Sequence, residues 1–140
     1  MFQASTPPPP GTTLAGKTVL IIGGNAGLGF ETARQCLILY ASRLIITARS
    51  EAKGKAALGA LRADPEVQAR NPTATIEAFL LDVDDYTSGL EFVKEVKQEV
   101  DALDILVCNA GVMLLSYEES KSGHERMMQG KFLFPCLPTT

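Results

Sequence analysis

The sequence predicts an α/β fold, a doubly wound parallel sheet with strand order 3-2-1-4 that is incomplete within this chain. Three observations predict it. Four short apolar runs, rich in Val, Ile and Leu, recur along the chain. Helical patterns separate them. The first run enters glycines at positions 23, 24, 27 and 29, and a helical pattern follows at once. Strands that are apolar on both faces and alternate with helices belong to a parallel sheet covered on two sides. Right-handed crossovers then set the strand order.

The elements follow in order. Residues 17–22 read as the first strand. Residues 28–40 read as a helix, with Ala33, Cys36, Leu37 and Tyr40 at helical spacing. Arg-Leu-Ile-Ile-Thr-Ala, residues 43–48, is a second buried strand. Residues 50–63 form an Ala-rich helix with Ser50 as its N-cap. Pro65 and Pro72 bracket a polar loop. Residues 75–81 make a third strand that ends in Asp82. Residues 88–100 make an amphipathic helix, with Val93, Val96 and Val100 on the apolar face. Residues 104–108 make the fourth strand, followed by Asn109-Ala110-Gly111.

This is the Rossmann arrangement, in which ligands bind beyond the carboxyl ends of the strands, where the strand order reverses. The strand ends carry Gly23, Arg49, Asp82 and Asn109. The glycine turn is suited to phosphate. Glycine lets the backbone approach a pyrophosphate, and the first N–H groups of the helix point unpaired at an anion, with the positive end of the dipole behind them. A nucleotide cofactor is the expected ligand.

Composition narrows the classes. At 140 residues and 46% hydrophobic, the chain suits one domain with a real core. Its net charge of −3 and lack of a Lys/Arg cluster argue against a nucleic-acid partner. Cys36, Cys108 and Cys136 lie far apart with no CxxC pair, so neither a metal site nor a disulfide framework is expected. Reduced, buried thiols and a cytoplasmic location are the expectation. No apolar run has membrane-spanning length, and the first residues do not form a signal peptide. Residues 1–13, with Pro7 to Pro10, read as a flexible, exposed Pro-rich leader. Residues 14–129 form the nucleotide-binding domain, and 130–140 an irregular tail broken by prolines.

Together these residues resemble the short-chain dehydrogenase/reductase family over residues 14–128. Gly23-Gly24-Asn25-Ala26-Gly27-Leu28-Gly29 matches the family's glycine motif, with Ile22 where Thr is usual. Asp82-Val83 matches the acidic position that contacts adenine in the family. Asn109-Ala110-Gly111 matches its NAG motif. The stretch from Val112 to Ser120 is similar to a subgroup met among fungal secondary-metabolism and retinol-dehydrogenase-like reductases. The resemblance implies an oxidoreductase acting on an alcohol or carbonyl. It also implies that Leu28 gives a backbone N–H to the pyrophosphate; the Leu28 side chain itself reads as packing helix against sheet.

The cofactor is expected to be NADP, with NAD the less favoured. An NAD site places an acid at the end of the second strand for the ribose 2′-hydroxyl. Here Ala48 and Arg49 occupy that corner, with Lys53 close behind. A guanidinium pairs bidentately with a 2′-phosphate.

Family chemistry also needs a Tyr-x-x-x-Lys pair and a Ser after a fifth strand, and those are expected to be missing here. Tyr117-Glu-Glu-Ser-Lys121 has the spacing but follows the NAG motif too closely, and it reads as a polar loop leading into a helix. No catalytic residue is assigned. His124, the only histidine, reads as a solvated helix residue. The rival readings are a catalytically inactive nucleotide-binding protein and a non-functional fragment with an exposed edge strand.

Overall fold

The structure is a computed structural model that describes residues 6–111, 116–124 and 126. The expected tail over 130–140, with Cys136, lies outside the described residues. The elements are β1 (Thr18–Ile22), α1 (Gly27–Ile38), β2 (Arg43–Ala48), α2 (Glu51–Ala63), α3 (Pro65–Arg70), β3 (Thr75–Leu80), α4 (Tyr86–Glu99) and β4 (Ile105–Cys108). The sheet is parallel, in the order β3-β2-β1-β4. Val19 of β1 stands opposite Leu44 on one side and Ile105 on the other. The predicted fold class and strand order are the observed ones.

Alternation along each strand builds two cores. Val19, Ile21, Leu44 and Ile46 face a layer made by Ala33 and Leu37 of α1, Ala57 and Leu61 of α2, and Val67 of α3. Leu20, Ile22, Ile45, Phe79 and Leu81 face the other way, onto Phe92 of α4. The rings of Phe79 and Phe92 meet edge-on with centroids 6.4 Å apart. Helices therefore cover both faces of the sheet, and the crossovers diverge at the β1–β4 boundary.

The structure corrects three expectations. Residues 65–70 are a helix, not a polar loop. Pro65 sits at the first helical position, where its missing N–H is harmless, and Asp64 caps the turn by accepting from Glu66 N–H and Val67 N–H. The thiols are not buried: Cys36 is half-buried and Cys108 exposed, because among the described residues β4 is the edge of the sheet. His124 lies in a bend rather than a helix, exposed, with its ring 5.6 Å from Tyr86. Other boundaries shift slightly. α4 begins two residues earlier than expected because Asp85 accepts from Thr87 N–H. α1 ends at Ile38, and Tyr40 follows with φ of 71°, a left-handed turn that closes the helix. Residues 6–13 are exposed, and Thr12 N–H closes a turn on the Pro9 carbonyl at 3.1 Å.

Asp64 joins three elements. Its second carboxylate oxygen takes Arg34 Nε at 2.7 Å, while Arg34 Nη2 reaches Glu66 at 2.7 Å and Nη1 reaches Glu31 at 3.1 Å. The Arg34 hydrogen bond, aided by the capped amides, holds the Asp64 carboxyl below the usual carboxylate value. A carboxyl depressed in the folded state contributes stability above its unfolded pKa and loses it as pH falls through the folded value. Asp64→Asn keeps the capping oxygen and removes the charge. It is expected to lower the urea midpoint at neutral pH, with the gap to wild type closing in acid. A gap of constant size across the titration would rule out this role.

Candidate functional site

The carboxyl ends of the strands enclose a cleft of about 300 Å³. Gly23, Asn25 and Ala26 form one side, Thr47, Arg49 and Lys53 a second, Leu81 and Val83 a third, and Asn109 to Gly111 the last. Of the residues expected at the site, Gly23, Asn25, Arg49, Lys53 and Asn109 line the cleft.

The remaining expected residues shape it from outside the lining. Gly24 is buried, and a Cβ there would come within 2.6 Å of Ile46 Cγ2, so the turn needs glycine to lie on β2. Gly29 is buried under the turn itself, where a Cβ would collide with the Gly23 carbonyl oxygen and Asn109 Nδ2. Gly27, with φ of +59°, has open space where a Cβ would point. Leu28 corrects an expectation. Its side chain is 81% exposed and does not pack helix against sheet, because it projects from the first turn of α1, ahead of the stretch that meets the core.

Three hydrogen bonds hold the turn in shape. Gly23 N–H donates to Thr47 Oγ1 at 2.9 Å, Asn109 Nδ2 donates to the Gly23 carbonyl at 3.3 Å, and Ala110 N–H donates to the Ile22 carbonyl at 2.8 Å. The sequence reading missed Thr47. A lone hydroxyl in an otherwise apolar strand was the available signal, and its 2% exposure makes its bond to the turn structural.

The N-terminus of α1 is chemically distinct. α2, α3 and α4 each carry a side-chain cap, from Ser50, Asp64 and Asp85. α1 begins after Ala26 with no side-chain cap and no acid in its first turn. Its leading N–H groups and the positive end of its dipole are left for an anion. Across the cleft, Arg49 and Lys53 are exposed, and among the described residues no carboxylate lies within ion-pair distance of either.

Asp82 turns elsewhere. Its Oδ2 lies 2.9 Å from Lys121 Nζ, its Oδ1 accepts Asp84 N–H at 3.0 Å, and its own N–H donates to Ser88 Oγ at 2.9 Å. Burial pushes the carboxyl up, but the Lys121 hydrogen bond and charge, the Asp84 amide and the Arg49 charge outweigh it and keep the group below the usual carboxylate value. Tyr117 is 72% exposed, and Lys121 is committed to Asp82, so the Tyr-x-x-x-Lys spacing forms no proton-transfer pair in this structure. Among the described residues no cluster of three metal-ligating side chains occurs, and no helix is long and apolar enough to cross a membrane.

A family profile described as short chain dehydrogenase matches residues 17–132. Short chain dehydrogenase sor7 of Hypocrea jecorina is 55% identical over 96% of this chain and 40% of its own length. Short chain dehydrogenase macD of Penicillium terrestre is 46% identical over 88% of this chain and 37% of its own length. The chain thus spans about 40% of the length of the curated relatives it matches. Among solved structures, the MalC reductase/Diels-Alderase of Malbranchea aurantiaca superposes with a TM-score of 0.69 at 27% identity, over 87% of this chain and 48% of that one. A blue fluorescent protein from a metagenomic library, solved in complex with NADPH, superposes with a TM-score of 0.67 at 26% identity, over 88% of this chain and 48% of that one.

Proposed function

The chain belongs to the short chain dehydrogenase family, and from that premise we propose that it is the cofactor-holding part of an NADP-dependent oxidoreductase acting on an alcohol or carbonyl. The observation that carries this reading is the uncapped N-terminus of α1, with the cleft beyond it and, on a neighbouring wall, Arg49 and Lys53, neither of which has a carboxylate at ion-pair distance among the described residues. One end of that arrangement suits a pyrophosphate and the other a 2′-phosphate. The NADPH bound by a structural neighbour supports the same choice.

The residues divide the work by chemistry. Gly23, Gly24 and Gly29 let the backbone close into the turn, and Gly27 leaves the space beside it open. The N–H groups of the first turn of α1, including that of Leu28, hold the pyrophosphate, with Asn25 beside them. Arg49 and Lys53 hold the 2′-phosphate. Leu81, Val83 and the Asp82 turn bound the adenine, and Asn109 keeps the end of β4 against the glycine turn. When bound, the nicotinamide supplies or accepts a hydride. A proton donor or acceptor for the carbonyl oxygen is not among these residues, and general acid–base assistance is worth about two to four orders of magnitude.

Titration of the 140-residue chain with NADPH, followed by a panel of ketones and alcohols, tests the reading. NADPH binding without family-like turnover is expected. Failure to bind any dinucleotide would overturn the cofactor role. Turnover lost specifically in Tyr117→Phe would make the 117–121 spacing the active pair after all.

A further inference from the structure

The loop after β4 is tied back to the turn after β3. Lys121 Nζ lies 2.9 Å from Asp82 Oδ2, and Tyr86 N–H, at the start of α4, donates to Ser122 Oγ at 3.0 Å. Arg126 Nε stands 3.3 Å from Asp84 Oδ1, both atoms buried and paired by charge rather than by an aligned hydrogen bond. Among the described residues β3 and β4 are the outer strands of the sheet, so these contacts join the turns after its two edge strands.

We infer that Lys121 is a positioning residue for the adenine end of the cleft, acting through Asp82. The inference rests on the nucleotide reading above. Asp82 lies between Leu81 and Val83, both of which line the cleft. Its carboxylate meets Lys121 and the Asp84 amide, its N–H meets Ser88, and its carbonyl accepts Asp85 N–H at 3.1 Å. Lys121 is the only partner in that set that comes from outside residues 82–88, so it ties the second carboxylate oxygen to the segment after β4 while the Asp84 amide holds the first.

The pair does little for global stability. The Lys121 side chain is 63% exposed, and exposed ion pairs contribute little to folding. Ser122 and Arg126 hold the loop in place without it. Its effect is local and electrostatic. A carboxylate released from Lys121 keeps the Asp84 amide and feels the charge of Arg49, which lines the same cleft. That attraction draws negative charge toward the space a phosphate-bearing ligand enters, and it occupies the cation that would meet the ligand.

The test compares wild type, Lys121→Met and Lys121→Arg, with adenosine 2′,5′-bisphosphate and nicotinamide mononucleotide as separate probes. Lys121→Met is expected to lose affinity for adenosine 2′,5′-bisphosphate by about fivefold or more, with nicotinamide mononucleotide unchanged. The amides of Asp84 and Asp85 are expected to exchange faster, and Lys121→Arg to restore both properties. An equal loss for the two probes would mark general destabilisation and overturn the inference. So would wild-type binding and amide protection in Lys121→Met. A wild-type chain that binds neither probe would overturn the nucleotide reading and this inference with it. Normal wild-type binding that Lys121→Met leaves intact would overturn this inference alone.

Discussion

Gly29→Val is expected to leave the chain without its native fold. A Cβ at Gly29 would overlap the Gly23 carbonyl oxygen and come within 2.6 Å of Asn109 Nδ2. The first is backbone, and the second is a side-chain amide that donates to that same carbonyl at 3.3 Å. Gly23 is held by Thr47 at 2.9 Å, and Asn109 is fixed by its own N–H to the Ile22 carbonyl at 3.2 Å. To accommodate the side chain, α1 must lift from the sheet, and Ala33 and Leu37 would leave a core in which both have 0% exposure. Overpacking by single methylenes costs about 1–3 kcal/mol, and domain stability is about 5–15 kcal/mol. A branched side chain driven into backbone exceeds the first figure and takes up much of the second. Gly27→Ala is the control. Its Cβ meets no protein atom, and only the left-handed conformation opposes it, at about 1–2 kcal/mol. Thermal melts by circular dichroism should show no cooperative transition for Gly29→Val and a modest shift for Gly27→Ala. A Gly29→Val protein that melts near wild type would mean the turn is not packed as described. Under the nucleotide reading, Gly27→Ala also loses NADPH affinity while staying folded, because its methyl enters the space reserved for the pyrophosphate.

Arg49→Ala is expected to weaken NADPH by about tenfold or more and to leave NADH nearly unchanged. The wild-type chain is expected to prefer NADPH for the same reason. Arg49 is exposed and has no carboxylate at ion-pair distance among the described residues, so its guanidinium need not be released from a partner before it meets a phosphate. Lys53 lies one turn into α2 on the same wall, and as a point charge without a planar fork it should contribute less. Because the site is open to solvent, salt should erode the preference, since charges this exposed are screened over about 8–10 Å at physiological ionic strength. Fluorescence titration of both cofactors at two salt concentrations measures this. Equal affinities in wild type, or an equal loss of both in Arg49→Ala, would show that Arg49 does not read the 2′-phosphate.

Most of the cleft was legible because its parts are local. The glycine turn, the end of β2 and the Asn109 motif each sit within a few residues of an apolar run whose period marks a strand. Asp82 was legible as a position but not as a contact, since its partner Lys121 lies 39 residues away. Lys121 itself stood out only through its spacing from Tyr117, which pointed to different chemistry. α3 was missed because Pro65 reads as a breaker until Asp64 is seen to cap the turn that Pro65 opens.

By itself, the sequence determined the element types, the parallel sheet and its order, and the glycine, Arg49 and Asn109 positions at the strand ends. Backbone propensity, period and crossover handedness act over short stretches and leave their mark in residue order. Tertiary structure alone decided which of those residues face the cleft, that Leu28 and Cys108 stay exposed, that Thr47 anchors the turn, and that Lys121 holds Asp82. These depend on which distant segments meet at one end of the sheet. Such meetings are set by packing both faces of β1 and β2 at once, and no local stretch of residues encodes them.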